Sequence, residues 1–306
     1  MMAETVVQTQ NIQKKYGQFA AVSNLSIQVQ KGDIYALVGQ NGAGKTTLLK
    51  LVCGLTPPTG GRLELFGGSS ARQLGAARTH MGTMIETPGF FPYLSARENL
   101  EYYRIQRGGK REDADEAIRF VGLGKTGTKK FKNFSLGMKQ RLGLALAVMD
   151  EPDILVLDEP INGLDPMGIK EFRDIILKMN RERGTTVLIS SHILGELSQI
   201  ATTYGFISKG KLIEHISAGD LKEKCRSCLR IDVDNPEKAA GVLKDRLFCT
   251  RFRARDNTLL IDEHLEHPEI FVKALVENGV AVSQVFRSGI NLEQYFINLI
   301  GGSQNV

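Results

Sequence analysis

Nine consecutive residues limit the possible fold more than any other part of the chain: Gly39, Gln40, Asn41, Gly42, Ala43, Gly44, Lys45, Thr46 and Thr47. They follow the apolar run Ile34-Tyr-Ala-Leu-Val38 and precede a helical pattern that begins Leu48-Leu-Lys-Leu-Val52. Strand, glycine loop, helix is the context in which this spacing cradles a phosphate. The glycines let backbone N–H groups turn inward around the phosphate, and the helix adds the positive end of its dipole. Lys45 can reach the β- and γ-phosphates of a nucleotide, and the Thr46 hydroxyl can ligate Mg²⁺.

With 306 residues the chain can form one large or two modest domains with a substantial buried core. Its 42% hydrophobic and 24% charged content suits a globular protein. The longest apolar runs, such as Leu142 to Met149, fall well short of the roughly 20 residues that cross a bilayer. Met1-Met-Ala-Glu-Thr5 has no charged-then-apolar leader, so the expected location is the cytoplasmic side where the chain is made. A net charge of +5, interspersed rather than gathered in an arm, argues against nucleic acid as the main partner. Four cysteines do not make a disulfide framework. Cys225-Arg-Ser-Cys228 has the spacing of a redox or zinc pair, and Cys249, His264 and His267 could complete a metal site. Without a second such pair, reduced thiols are the expectation.

Residues 5–80 predict short strands around the glycine loop, among them Val6 to Gln10 and Leu25 to Val29. Tyr16, upstream of the loop, has two open readings: a ring that stacks on an adenine, or a half-buried tyrosine of a strand or turn. From about 90 to 150 the pattern is helical. Ser95-Ala-Arg-Glu98 is a capping box opening a helix through Arg104, and a second helix runs from Asp113 to Gly122. Lys125, Lys129, Lys130 and Lys132 lie in a glycine-broken stretch that reads as a solvated surface or as a contact for an anionic membrane face. The apolar runs Ile154 to Leu157 and Thr186 to Ile189 end in Asp158-Glu159-Pro160 and Ser190-Ser-His192, with a helix from Gly168 to Arg183 between them. These are buried parallel strands of a helix-covered sheet, and ligand chemistry collects at their carboxyl ends. Past Gly219 the order strand, helix, strand, strand, helix, strand, with a last helix from Asn291 to Ile300, predicts a small α+β sandwich.

Asp158, at a strand end behind a phosphate loop, is the carboxylate expected to hold Mg²⁺ opposite Thr46, and Glu159 is the candidate general base for an attacking water. In Phe134-Ser-Leu-Gly-Met-Lys-Gln-Arg141, Ser135 and Gly137 stand at a second helix start where a phosphate could be bound. Alone this would be an ordinary N-cap.

Together these motifs make residues 1 to about 220 resemble the nucleotide-binding subunit of an ATP-binding-cassette (ABC) transporter. The resemblance implies an α/β P-loop NTPase fold with an antiparallel β subdomain and a helical subdomain at about 90–150. The ABC ATPase domain would then be 1–219, followed by an α+β accessory domain, 220–306. It assigns Gly163-Leu-Asp165 to the D-loop with Asp165 at the nucleotide, His192 to the switch that senses the γ-phosphate, and Tyr16 to adenine stacking. ATP and Mg²⁺ are the implied cofactors. Two subunits would close head to tail, as a homodimer or with a paired ATPase, against an integral membrane permease at the cytoplasmic face.

Three departures from the family pattern stand out. The signature reads Phe-Ser-Leu-Gly-Met, and the D-loop begins Ile161-Asn-Gly163. In Met84-Ile-Glu86-Thr-Pro-Gly89 a glutamate occupies a position where the family has glutamine. As a catalytic and metal-binding candidate, Glu86 would hold Mg²⁺ more strongly than an amide but bring negative charge toward the γ-phosphate. A glutamate here is similar to the bacterial subfamily that exports peptide antibiotics of the bacitracin and lantibiotic kind. The alternatives are a neutral substitution in another exporter, or a soluble ABC ATPase such as an iron–sulfur assembly accessory.

Overall fold

The computed structural model describes residues 4–86, 89–110, 112–225, 228–289 and 291–302. It separates into two units, Met1–Ala218 and Gly219–Val306. Thr87 and Pro88 of the loop after Glu86, Arg226 and Ser227 between the paired cysteines, and Met1 to Ala3 lie outside the described residues.

In the first unit the apolar runs become a six-stranded sheet in the order Lys211–Ser217, Thr203–Ser208, Ile34–Val38, Thr186–Ser191, Ile154–Asp158, Met81–Met84. All neighbours are parallel except the terminal hairpin of Lys211–Ser217 on Thr203–Ser208. Ile34–Val38 and Thr186–Ser191 are buried at every residue, as strands covered on both faces must be. The register sets Val38 beside Ser191 and Asp158 beside Ser190, so the glycine loop, the Asp158-Glu159 pair and the Ser190-to-His192 segment leave the sheet along one edge.

A second, antiparallel sheet is built on Thr5–Tyr16, which pairs with Phe19–Leu25, Gln28–Gln30 and Gly60–Leu65. The strand expected from Leu25 to Val29 is in fact two, broken at Ser26-Ile27. The cause is the buried Thr9: its hydroxyl accepts from the Ile27 N–H at 2.9 Å and donates to the Leu25 carbonyl at 3.1 Å, replacing ladder bonds across the break.

Between the sheets' contributions lies the helical stretch, Ala96–Arg107, Asp113–Phe120 and Leu136–Val148. The Ser95/Glu98 capping box is formed, and Gly108 in the left-handed region ends its helix three residues beyond the expected Arg104. Backbone and side-chain hydrogen bonds from Ser95, then Lys130, pull the Glu98 carboxyl down to about 2. The apolar run from Leu142 is the buried half of Leu136–Val148, every residue from 142 to 148 being enclosed. No helix among the described residues is long and apolar enough to cross a membrane. Three of the four lysines in the basic stretch are engaged within the protein: Lys130 with Glu98 at 3.1 Å, Lys132 over the Tyr93 ring at 4.7 Å, and Lys129 with the Met138 sulfur at 3.8 Å.

Asn99 is fully buried and gives this region its geometry. Its Oδ1 accepts from the Phe91 N–H at 2.7 Å, and its Nδ2 lies within reach of the carbonyls of Phe91, Leu94 and Ser95. Asn99→Ala should lower stability by about 2–3 kcal/mol, because it orphans buried backbone groups. A thermal unfolding midpoint equal to the parent's would refute this.

In the second unit the strands lie in the order Phe252–Arg255, Thr258–Ile261, Cys228–Val233, Val282–Ser288, antiparallel throughout. Helices Pro236–Leu247 and Pro268–Glu277 bury Leu243, Phe271 and Leu275 against Leu229, Ile231, Leu259 and Ile261. Cys249 belongs to that core, and burial together with Glu263 pushes its thiol up to about 12. His267 is paired with Glu269 at 3.1 Å, and among the described residues no three His, Cys, Asp or Glu side chains form a metal-holding group.

Candidate functional site

The helix Lys45–Cys53 starts on a glycine in the left-handed region. Its N-cap is Gly44, at φ 107°, so no side chain accepts from the first-turn N–H groups, and no acidic residue lies in that turn. Helices Ala96–Arg107 and Pro166–Arg183, by contrast, are capped by Ser95 and Asp165. An uncapped N-terminus with its dipole unopposed is an anion site. A Cβ at Gly44 would lie 2.5 Å from the Ala21 carbonyl oxygen, so only glycine lets the loop pass this close to the antiparallel sheet. Residues 41–47 line a cleft of about 240 Å³ with Phe19, Ala21 and Glu159.

Into this cleft the sheet delivers the charged groups. Lys45 is 5% exposed, and its Nζ donates to the carbonyls of Gly39 at 2.7 Å and Gln40 at 3.2 Å. It also stands 3.0 Å from Glu159 Oε1. That oxygen is buried and faces the Lys45 ammonium. Glu159 Oε2 is held by His192, through Nδ1 at 2.8 Å and the backbone N–H at 3.3 Å. Glu159 itself has φ 46°, in the left-handed region that residues other than glycine seldom occupy.

Asp158 is clamped on both oxygens. Thr46 Oγ1 donates to Oδ2 at 2.7 Å, and Ser190 Oγ donates to Oδ1 at 2.6 Å while accepting from the Glu159 N–H at 2.9 Å. Ser190 therefore orients both acidic residues, a role the sequence reading did not assign although it noted the serine at the strand end. A hydroxyl and a carboxylate brought together in this way are hard oxygen donors, the set that suits Mg²⁺.

Ser135, Gly137 and Asp165 come together elsewhere, in a cleft of about 420 Å³ that shares no lining residue with the first. Ser135 Oγ accepts from the Met138 N–H at 3.3 Å, and Asp165 caps its own helix through the Gly168 N–H at 3.0 Å. Gly163 has φ 75°, and a Cβ there would meet the Leu136 side chain at 2.9 Å, so the turn at Gly163 is seated on the start of the helix Leu136–Val148. Ile161, at the start of this turn, is buried.

Tyr16 ends its strand half exposed, with the Lys14 ammonium 5.0 Å from its ring centroid. Phe19 is its partner in the sheet register and lines the first cleft, an aromatic that the sequence reading passed over. Glu86 does not bond to Thr46 or Asp158. Its Oε1 lies 2.5 Å from Lys50 Nζ, and this contact raises the lysine's pKa.

Comparison with known proteins agrees with this geometry. The family model described as ABC transporter matches residues 22–162. The bacitracin transport ATP-binding protein BcrA of Enterococcus faecalis is 41% identical over 303 residues, covering 99% of this chain and 98% of that one. The lantibiotic transport ATP-binding protein SrtF of Streptococcus pyogenes is 40% identical over 208 residues, covering 68% of this chain and 89% of its own. Among solved structures, a dimeric ATP-binding cassette in a post-hydrolysis state with ADP and Pi superposes with a TM-score of 0.63 at 24% identity, covering 69% of this chain and 98% of that one, a likeness of fold. By similarity sustained along almost its whole length, the chain belongs to the ABC transporter family of ATP-binding proteins.

Proposed function

We propose that this chain is the ATPase subunit that powers a separate membrane permease in the export of, or resistance to, a peptide antibiotic of the bacitracin or lantibiotic kind. The observation that carries the reading is the end-to-end similarity to a bacitracin transport ATP-binding protein, which extends through the second unit as well as the cassette. The same observation disfavours a soluble, iron–sulfur-type role. The chain would sit at the cytoplasmic face of the membrane through its permease.

The site residues support a division of labour. The loop N–H groups and Lys45 bind the β- and γ-phosphates, and Tyr16 with Phe19 borders the base and ribose. Thr46 and Asp158 would hold Mg²⁺, which when bound neutralises charge on the phosphates. Glu159, fixed by His192 on one oxygen and paired with Lys45 on the other, polarises the attacking water once Lys45 engages the phosphates. Ser135 and Gly137 line a different cleft from this chain's own P-loop, so they act on a nucleotide held by a second copy or a paired subunit, joined head to tail. Closure on two nucleotides and opening after hydrolysis form the two-state element that moves the permease. The exposed Phe91, Tyr93 and Tyr102 beside the helical stretch offer apolar area for it.

Deleting the chain should sensitise cells to a bacitracin-like peptide, with resistance restored by the parent gene. Unchanged sensitivity to every such peptide would overturn the substrate assignment. Glu86→Gln should lower both permease-coupled ATPase activity and resistance by about tenfold, the usual scale for groups that tune a metal site. If both are unchanged, the glutamate has no special role.

A further inference from the structure

We infer that Lys50 is a positioning residue that neutralises Glu86, so that this carboxylate stands beside the nucleotide as one half of a zero-charge pair. The inference rests on the ATPase reading above and deepens it.

Glutamate in place of an amide at this loop poses an electrostatic problem: one extra negative charge near a triphosphate, Asp158 and Glu159. The structure supplies the answer from another element. Lys50 Nζ is 2.5 Å from Glu86 Oε1, and that contact is the largest influence on the lysine. Lys50 follows Thr46 by four residues on the helix Lys45–Cys53, so the two share one face, about 6 Å apart. Thr46 is in turn bonded to Asp158, whose charge is among the weaker influences that raise the lysine's pKa. The pair therefore lies one helical turn from Thr46, a proposed Mg²⁺ ligand. Glu86 has φ 62° and stands two residues after the strand Met81–Met84.

The side chains are 31% and 65% exposed, so the pair can part and re-form at little energetic cost. Its main consequence is the charge it cancels. Removing only the ammonium should expose the triphosphate to an uncompensated carboxylate, whereas removing only the carboxylate should leave an extra cation nearby. A merely structural lysine would not produce effects of opposite sign.

The test is equilibrium binding of a fluorescent ATP analogue in EDTA, at fixed low salt, to the full chain. Lys50→Met should weaken binding about fivefold, on the scale of one unscreened charge at this separation. Glu86→Gln should tighten it, and the double variant should return to within about twofold of the parent. Lys50→Arg, which keeps the charge, should bind like the parent and controls for folding. Parent-like affinity in Lys50→Met, or a double variant as weak as Lys50→Met, overturns the inference alone. A parent protein that binds no nucleotide overturns the functional reading and this inference with it.

Discussion

Glu159→Gln is expected to bind ATP at near-parent affinity and to lose turnover by about 10²- to 10⁴-fold, the range that a positioned general base contributes. The geometry explains why binding survives. Lys45 keeps its two loop carbonyls, and a glutamine oxygen can still accept from His192 at the position of Oε2. What disappears is the basic oxygen that faces Lys45 in the cleft. Losing the negative charge 3.0 Å from Lys45 also frees that ammonium for phosphate. The variant should therefore accumulate as nucleotide-filled dimers, read by size-exclusion chromatography with radiolabelled ATP. Hydrolysis at the parent rate would show that Glu159 is not the base.

Asp158→Asn should be more damaging, because the residue has two partners and a metal to serve. Both carboxylate oxygens accept, from Thr46 and from Ser190. An asparagine can accept on one side only, so its amide would face a hydroxyl that must then reorient. The lost charge also weakens Mg²⁺ binding. A fall of more than about a hundredfold in Mg-dependent hydrolysis is expected, corresponding to about 3 kcal/mol of transition-state stabilisation. Titrating Mg²⁺ separates the causes: raising it should recover part of the rate if metal binding is the main loss. If the Asp158→Asn variant keeps the parent's rate and Mg²⁺ dependence, Asp158 does not hold the metal.

Both predictions concern residues that neighbour one another in sequence yet have different surroundings. Asp158 closes its strand in the sheet register beside Ser190, whereas Glu159 has already turned into the left-handed region and points toward Lys45 and His192. A single backbone turn divides the metal ligand from the base. Ser190 bridges the two and makes their relative orientation a property of the adjacent strand.

The sequence by itself determined what is written in consecutive residues. The strand–glycine loop–helix unit, the capping box at Ser95 and Glu98, the acidic pair ending an apolar strand and the order of elements in the second unit could all be read there. Each depends on backbone preference and periodicity over a few positions. Glu86 could be recognised as unusual for the same reason, because it stands at a known distance from its own strand. The break at Ser26-Ile27 could not, since it depends on the hydroxyl of Thr9 reaching across the sheet.

Only the tertiary structure decided which groups meet. Lys50 with Glu86, Thr46 with Asp158, Lys45 with Glu159 and Ser190 with both acids are contacts between elements 31 to 114 residues apart. The separation of Ser135 from the P-loop cleft within one chain is likewise a matter of packing. The physical reason is that local propensity sets what each segment becomes, whereas sheet register and close packing set which side chains share a volume. The charges of a site interact through that shared volume.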